Sequence, residues 1–124
     1  MGSFRNLLIW QKSMSLVTAI YKLTQDFPKE EIFGLNSQIR RCAVSLPSNI
    51  SEGFGRNSDN EFIRFLNITI GSLFELQTQL EIAYNIGYLD EERFSELYKD
   101  TRELEIMIVT FINKIKERTK NLKF

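Results

Sequence analysis

Apolar residues recur along this chain at three- and four-residue steps, the spacing of amphipathic helices rather than the alternation of strands. The clearest run is Phe62, Leu66, Thr69, Leu73, Leu76, Leu80 and Ala83, spaced 4-3-4-3-4-3 with only Thr69 not apolar. These positions share one stripe of a helix, as a bundle seam requires. Ser58 followed three residues later by Glu61 is a capping-box pattern for its start, and Gly87 can take the left-handed conformation that ends it. A second run, Phe94, Leu97, Thr101, Leu104, Ile108, Phe111 and Ile115, steps 3-4-3-4-3-4. Asp90 is placed to cap it, Glu91 and Glu92 favour its positive end, and Lys114, Lys116, Arg118 and Lys120 favour its negative end.

Two more helices precede these. The first is expected from about Leu8 to Asp26, with Trp10, Met14, Val17, Tyr21 and Thr24 on one stripe and Ile9, Leu16, Ile20 and Leu23 on a second. Phe27-Pro28 ends it, because the residue before proline is pushed out of the helical region. The second runs from about Glu31 or Phe33 to Gly53 or Phe54, carrying Leu35, Ile39, Ala43, Leu46 and Ile50. Pro47 should bend it by removing a backbone bond to Ala43, whose freed carbonyl Ser45, Ser48 or a water would satisfy. The third and fourth helices, at roughly 25–28 residues, are roughly 40 Å long. No Asn-Gly or Asp-Gly hairpin turn is present, and short connections at 27–30, 55–58 and 87–90 favour antiparallel neighbours. The pattern predicts one all-α domain over residues 1–124, an up-down-up-down antiparallel four-helix bundle.

The apolar content exceeds what one bundle needs. Ile106, Met107 and Val109 flank the fourth seam, and Ile63, Phe65, Ile68, Ile70, Phe74, Ile82 and Ile86 flank the third. Either the core stripes are wide or the surplus is a self-association surface. The second reading is preferred, since leaving such side chains wet forgoes roughly 1.5–3 kcal/mol apiece.

Composition changes this picture in two ways. At 43% hydrophobic and 26% charged the chain is globular, and sixteen basic residues balance sixteen acidic ones. The charge is uneven: residues 1–56 carry seven basic and four acidic groups, 57–105 four and eleven, and 106–124 five and one. An acidic middle between basic flanks suits complementarity between subunits. The single cysteine, Cys42, excludes an intramolecular disulfide and fits a cytoplasmic setting. No stretch is apolar enough for a signal peptide or a membrane span, so no membrane partner is expected.

Candidate chemistry is sparse. The chain has no histidine, which removes the usual general base and imidazole metal sites. The acidic groups at 30–31, 90–92 and 100–105 fit helix starts and solvated faces. Gly53 to Arg56 lacks the context of a phosphate-binding loop. Cys42 is expected to be a buried, inert thiol. No enzyme activity, cofactor, metal or small-molecule substrate is expected.

The segment Gln38–Arg56 stands apart, with adjacent arginines, a proline inside helical periodicity, a polar cluster and two glycines. Ser48, Asn49, Ser51, Glu52 and Arg56 are expected to form a hydrogen-bonded network holding the turn, with Gly53 and Gly55 supplying backbone freedom. Gly71-Ser72 suggests close approach of a neighbouring helix. The functional alternative is a recognition surface in which Arg40, Arg41, Arg56 and Arg64, with Lys12, contact phosphate or carboxylate groups. Structured RNA or a nucleoprotein is the partner to test; the competing reading is a protein-interaction module that uses exposed apolar helix faces.

Specific segments carry a family resemblance: IWQKSMSLV at 9–17, IYKLTQDFPKEEIFGL at 20–35, QIRRCAVSLPSNISEGFGR at 38–56 and FIRFLNITIGSLFELQTQLEIAYNIGYL at 62–89. The chain resembles the bacterial four-helix bundle proteins encoded by intervening sequences within 23S ribosomal RNA genes. Cys42 and Ser51 stand where alanine is common in that family. The resemblance implies the up-down bundle and a homo-oligomer, a pentameric ring in several relatives. A related branch, the accessory proteins of diversity-generating retroelements, implies a basic pentamer that binds nucleic acid. The resemblance implies no catalytic residues.

Overall fold

The computed structural model describes residues 2–121. A 3-10 turn at Phe4–Asn6 leads into α1 (Leu8–Thr24), and a second at Lys29–Glu31 precedes α2 (Leu35–Gly55); α3 (Asp59–Asn85) and α4 (Glu91–Asn121) follow. Among the described residues there is no strand. The helices form an up-down-up-down bundle, α2 packing most extensively against α3 and α1 closing the bundle against α4.

The core follows the seams. Leu66, Thr69, Leu73, Leu76, Leu80 and Ala83 of α3 are fully buried, with Ile39, Ala43, Leu46 and Ile50 of α2 and Leu104 and Ile108 of α4. In α1 the stripe that turns inward is Ile9, Leu16, Ile20 and Leu23, joined by Ser13 and Thr24. Met14 and Tyr21 of the other stripe are exposed. The buried hydroxyls cost little because each returns to its own helix: Ser13 donates to Trp10 O at 2.7 Å, Thr24 to Ile20 O at 2.8 Å, Thr69 to Phe65 O at 3.0 Å and Thr101 to Tyr98 O at 2.6 Å.

Helix ends show their local causes. Ser58 Oγ accepts from Glu61 N at 3.3 Å and Asp90 Oδ1 from Arg93 N at 2.8 Å. Glu61 does not complete a reciprocal capping box; its carboxylate takes Nε and Nη2 of Arg64. Gly87 has φ +84°, with its N–H on Tyr84 O and the N–H of Tyr88 on Ala83 O, a Schellman ending for α3. Asn57, at φ 55°, takes the left-handed position between α2 and α3.

Several boundaries differ from expectation. α1 stops at Thr24, two residues short of Asp26, where Asp26 N and Phe27 N turn back to Leu23 O and Thr24 O. α2 starts only at Leu35, because Lys29–Glu31 forms a separate turn and Glu31 Oε1 takes the Leu35 N–H at 3.1 Å. It continues to Gly55 as one helix through the buried Pro47. Neither Ser45 nor Ser48 compensates Ala43; the Ser45 hydroxyl donates to Cys42 O at 2.6 Å.

Candidate interaction site

The five basic residues singled out in the sequence occupy separate places. Lys12 on α1 reaches α4, donating to Glu103 Oε2 at 2.8 Å with Asp100 Oδ1 at 3.7 Å. The Glu103 hydrogen bond is the main cause that raises the Lys12 pKa, and the same bond lowers that of Glu103. Arg56 pairs with Glu52 at 2.8 Å and Arg64 with Glu61 at 3.0 Å, both guanidinium groups lying over the Phe65 ring. These two sit beside the α2–α3 turn, whereas Arg40 and Arg41 are four turns away near the start of α2, roughly 20–25 Å along the helix. The structure therefore brings Arg56 and Arg64 together at one end and Arg40 and Arg41 at the other.

Arg40 joins α2 to the end of α1. Its Nε donates to Thr24 Oγ1 at 2.8 Å and its Nη2 to Tyr21 O at 3.3 Å, while its Cζ stands 4.5 Å from the Tyr21 ring centroid. A cation at the last carbonyls of α1 also complements that helix's dipole. Asn36 adds a second tie, Nδ2 to Thr24 O at 3.0 Å. Arg41 is exposed and makes no ion pair or side-chain hydrogen bond among the described residues.

The polar cluster is not a network across the turn. Asn49 Nδ2 donates to Ser45 O at 2.8 Å and Ser51 Oγ to Ser48 O at 3.0 Å, each within α2, while Glu52 pairs with Arg56 and Ser48 is exposed. Gly53 serves packing rather than backbone freedom: it is helical, and a Cβ there would lie 2.6 Å from Phe65 Cβ. Gly55 has nothing within 4 Å of an added Cβ. The same is true of Gly71, so no neighbouring helix of the chain approaches it closely.

Cys42 is buried, its thiol donating to Ser72 O at 3.2 Å. Burial, and then the charge of Glu75, push its pKa up to about 11. Such a thiol is protonated near neutrality and a poor nucleophile. Among the described residues no group of three or more Cys, Asp or Glu is placed to hold a metal ion, and no helix is long and apolar enough to cross a membrane.

Two surface features remain, neither fully visible in the sequence. One is a cavity of about 570 Å³ where the end of α1 and the 32–34 segment meet α2, lined by Tyr21, Ile32, Asn36, Ser37, Arg40, Arg41, Val44 and Ser45. Of these only the arginines stand out in the sequence as site residues; Tyr21 reads as a member of one of the two apolar stripes of α1, and nothing local marks Ile32, Asn36 or Val44. The other is apolar: Ile68, Phe74 and Ile82 of α3, Ile86 just past its end, and Ile106 and Val109 of α4 are each 42–57% exposed.

Comparison with known proteins bears on the fold and the family. Residues 5–110 match the family model described as 23S rRNA-intervening sequence protein. A crystal structure from Bacteroides thetaiotaomicron VPI-5482, of a protein with unknown function from the S23 ribosomal protein family, superposes with a TM-score of 0.79 at 24% identity, covering 85% of this chain and 98% of that one. At that identity the likeness is one of fold. No curated protein matches the chain.

Proposed function

The chain belongs to the 23S rRNA-intervening sequence protein family, and from that premise we propose that it is a non-enzymatic, cytoplasmic scaffold that self-associates through its apolar helix faces. The observation that carries this reading is the set of large side chains left open on α3, its C-cap and α4: Ile68, Phe74, Ile82, Ile86, Ile106 and Val109. Covering them with a second copy recovers hydrophobic free energy that the protomer leaves unused. Gly71, on α3 between Ile68 and Phe74 with open space around it, supports close approach of another backbone. A single buried thiol accords with a reducing compartment.

The test is the mass of the full chain by light scattering, with the five-copy assembly implied by the family resemblance as the first stoichiometry to compare. Wild type is expected to run as a multiple of the protomer, and Phe74→Glu with Ile82→Glu to run as a folded protomer. A wild-type protomer mass across the accessible concentration range would overturn the reading.

A second reading keeps structured RNA or a nucleoprotein as the scaffold's partner and rests on Arg41, whose guanidinium has no ion-pair partner among the described residues. Phosphate contact predicts a steep loss of RNA affinity as salt rises. An Arg40/Arg41/Arg56 triple-alanine variant that binds RNA as wild type does would remove it. The ion pairs that hold Lys12, Arg56 and Arg64 favour the protein-interaction reading.

A further inference from the structure

We propose that the cavity between the end of α1, the 32–34 segment and the first half of α2 binds a small organic oxyanion that carries an apolar group. Two observations carry this, and both are separate from the α3–α4 face assigned to self-association.

The first is uncompensated charge. Arg40 and Arg41 both line the cavity, and no carboxylate does. Lys12, Arg56, Arg64, Arg93, Arg102 and Arg118 each have a carboxylate within ion-pair distance, whereas Arg5, Lys22, Lys29, Lys99, Lys114, Lys116 and Lys120 share with Arg40 and Arg41 the lack of one among the described residues. What sets these two arginines apart is that both border one concavity with apolar walls. Glu75 borders the adjacent groove that Arg41 also lines, but the two form no ion pair. Arg40 spends its Nε on Thr24 and one Nη2 hydrogen on Tyr21 O, leaving the remaining guanidinium N–H groups without a protein acceptor among the described residues. Those bonds and the Tyr21 ring also fix its plane, so one donor edge is set before any ligand arrives. Arg41 supplies a second, unconstrained fork.

The second observation is the wall. Tyr21, Ile32 and Val44 line the same space and are 40%, 52% and 39% exposed, so an apolar group seated there covers surface that the fold leaves open. Asn36, Ser37 and Ser45 add polar rim. The volume, about 570 Å³, lies within the range of small-molecule sites. A sugar–phosphate backbone has the charge but no apolar part to meet Ile32 and Val44, and Arg40 already occupies one face of the Tyr21 ring on which a base would stack. A carboxylate or phosphate monoester on an aromatic or branched aliphatic body satisfies both halves of the site.

The experiment is a titration of the full chain followed by amide chemical shifts, with phenylacetate, phenyl phosphate, acetate and phenylacetamide as probes. Phenylacetate or phenyl phosphate is expected to give saturable shifts confined to residues around 21, 32 and 36–45, and the tighter of the two identifies the oxyanion. Acetate and phenylacetamide, each lacking one half, are expected to bind more weakly by about tenfold or more. Arg41→Gln, which breaks no intrachain bond, is expected to weaken phenylacetate by a similar factor while leaving the helical signal and the assembly mass unchanged. Val44→Asn is the independent second variant and should weaken phenylacetate but not acetate. No saturable shift with either aromatic anion, equal binding of phenylacetamide, or an unaltered affinity in Arg41→Gln would overturn the proposal. Displacement of phenylacetate by single-stranded RNA, with affinity growing with RNA length, would assign the arginines to phosphodiesters and overturn it as well. Because assembly mass is read in the same samples, loss of binding with the mass intact counts against the site and not against self-association.

Discussion

Gly53 and Phe65 bring α2 and α3 together so closely that a methyl group at Gly53 would lie 2.6 Å from Phe65 Cβ and 3.1 Å from Phe62 Cδ1. The obstructing atom at 2.6 Å is the Cβ of buried Phe65, fixed to the α3 backbone and not the end of a flexible side chain, so the helices must separate to admit it. Gly53→Ala is expected to destabilise the fold by about 1–3 kcal/mol, the usual cost of overpacking, measured by urea unfolding. Gly55→Ala, two residues away with open space around it, should shift stability by no more than about 0.5 kcal/mol.

Gly71 lies in the exposed middle of α3. Alanine there meets nothing within the chain and removes glycine's helix penalty, so Gly71→Ala should stabilise the isolated protomer by roughly 0.5–1 kcal/mol. If a second copy's backbone packs against this point, the same substitution weakens self-association. Urea unfolding at high dilution reads the first effect and sedimentation the second.

The Tyr88 hydroxyl donates to Glu31 Oε2 at 2.8 Å, and Glu31 Oε1 accepts from Leu35 N. The Tyr88 bond first, and the Leu35 bond second, hold the Glu31 carboxyl below its ordinary value of 4.5. A carboxyl depressed on folding adds stability that is complete above its unfolded value and is lost as pH falls through the folded one. Wild type should therefore lose stability below pH 4.5 more steeply than Tyr88→Phe or Glu31→Gln. At the other extreme the same bond raises the Tyr88 pKa above 10.0, so that contribution is complete below 10.0 and fades as pH climbs through the raised value. Urea midpoints measured across both windows check the two signs.

Cys42 should be a silent thiol. With its pKa pushed up to about 11, a disulfide reagent at pH near 8 is expected to react about a hundredfold more slowly with folded protein than with the chain in denaturant. Comparable rates in the two states would show that α2 and α3 open at this point.

The seams were legible because burial in a bundle acts on single helices, and Leu66, Leu73 and Leu80 announce their face without help from the rest of the chain. Thr69 and Thr101 fit the seam because their hydroxyls bond inside the same helix. The choice between the two α1 stripes was open in the sequence because both are apolar; packing against α2 and α4 selects the one with Ile20. Glu31 with Tyr88 and Lys12 with Glu103 are far apart in the chain, so no local pattern could join them. The Arg40–Arg41 segment was visible as an oddity, but its apolar wall was not, since Ile32, Tyr21 and Val44 meet only after α1 has turned back onto α2.

The tie from Arg40 to Tyr21 O and Thr24 Oγ1 also decides how that corner responds to change. Lysine could keep the charge but not the fork that grips a hydroxyl and a carbonyl together. A replacement at position 40 thus meets a mechanical obstacle before any ligand is considered, while Arg41, with no side-chain bond to the rest of the corner among the described residues, carries no such load.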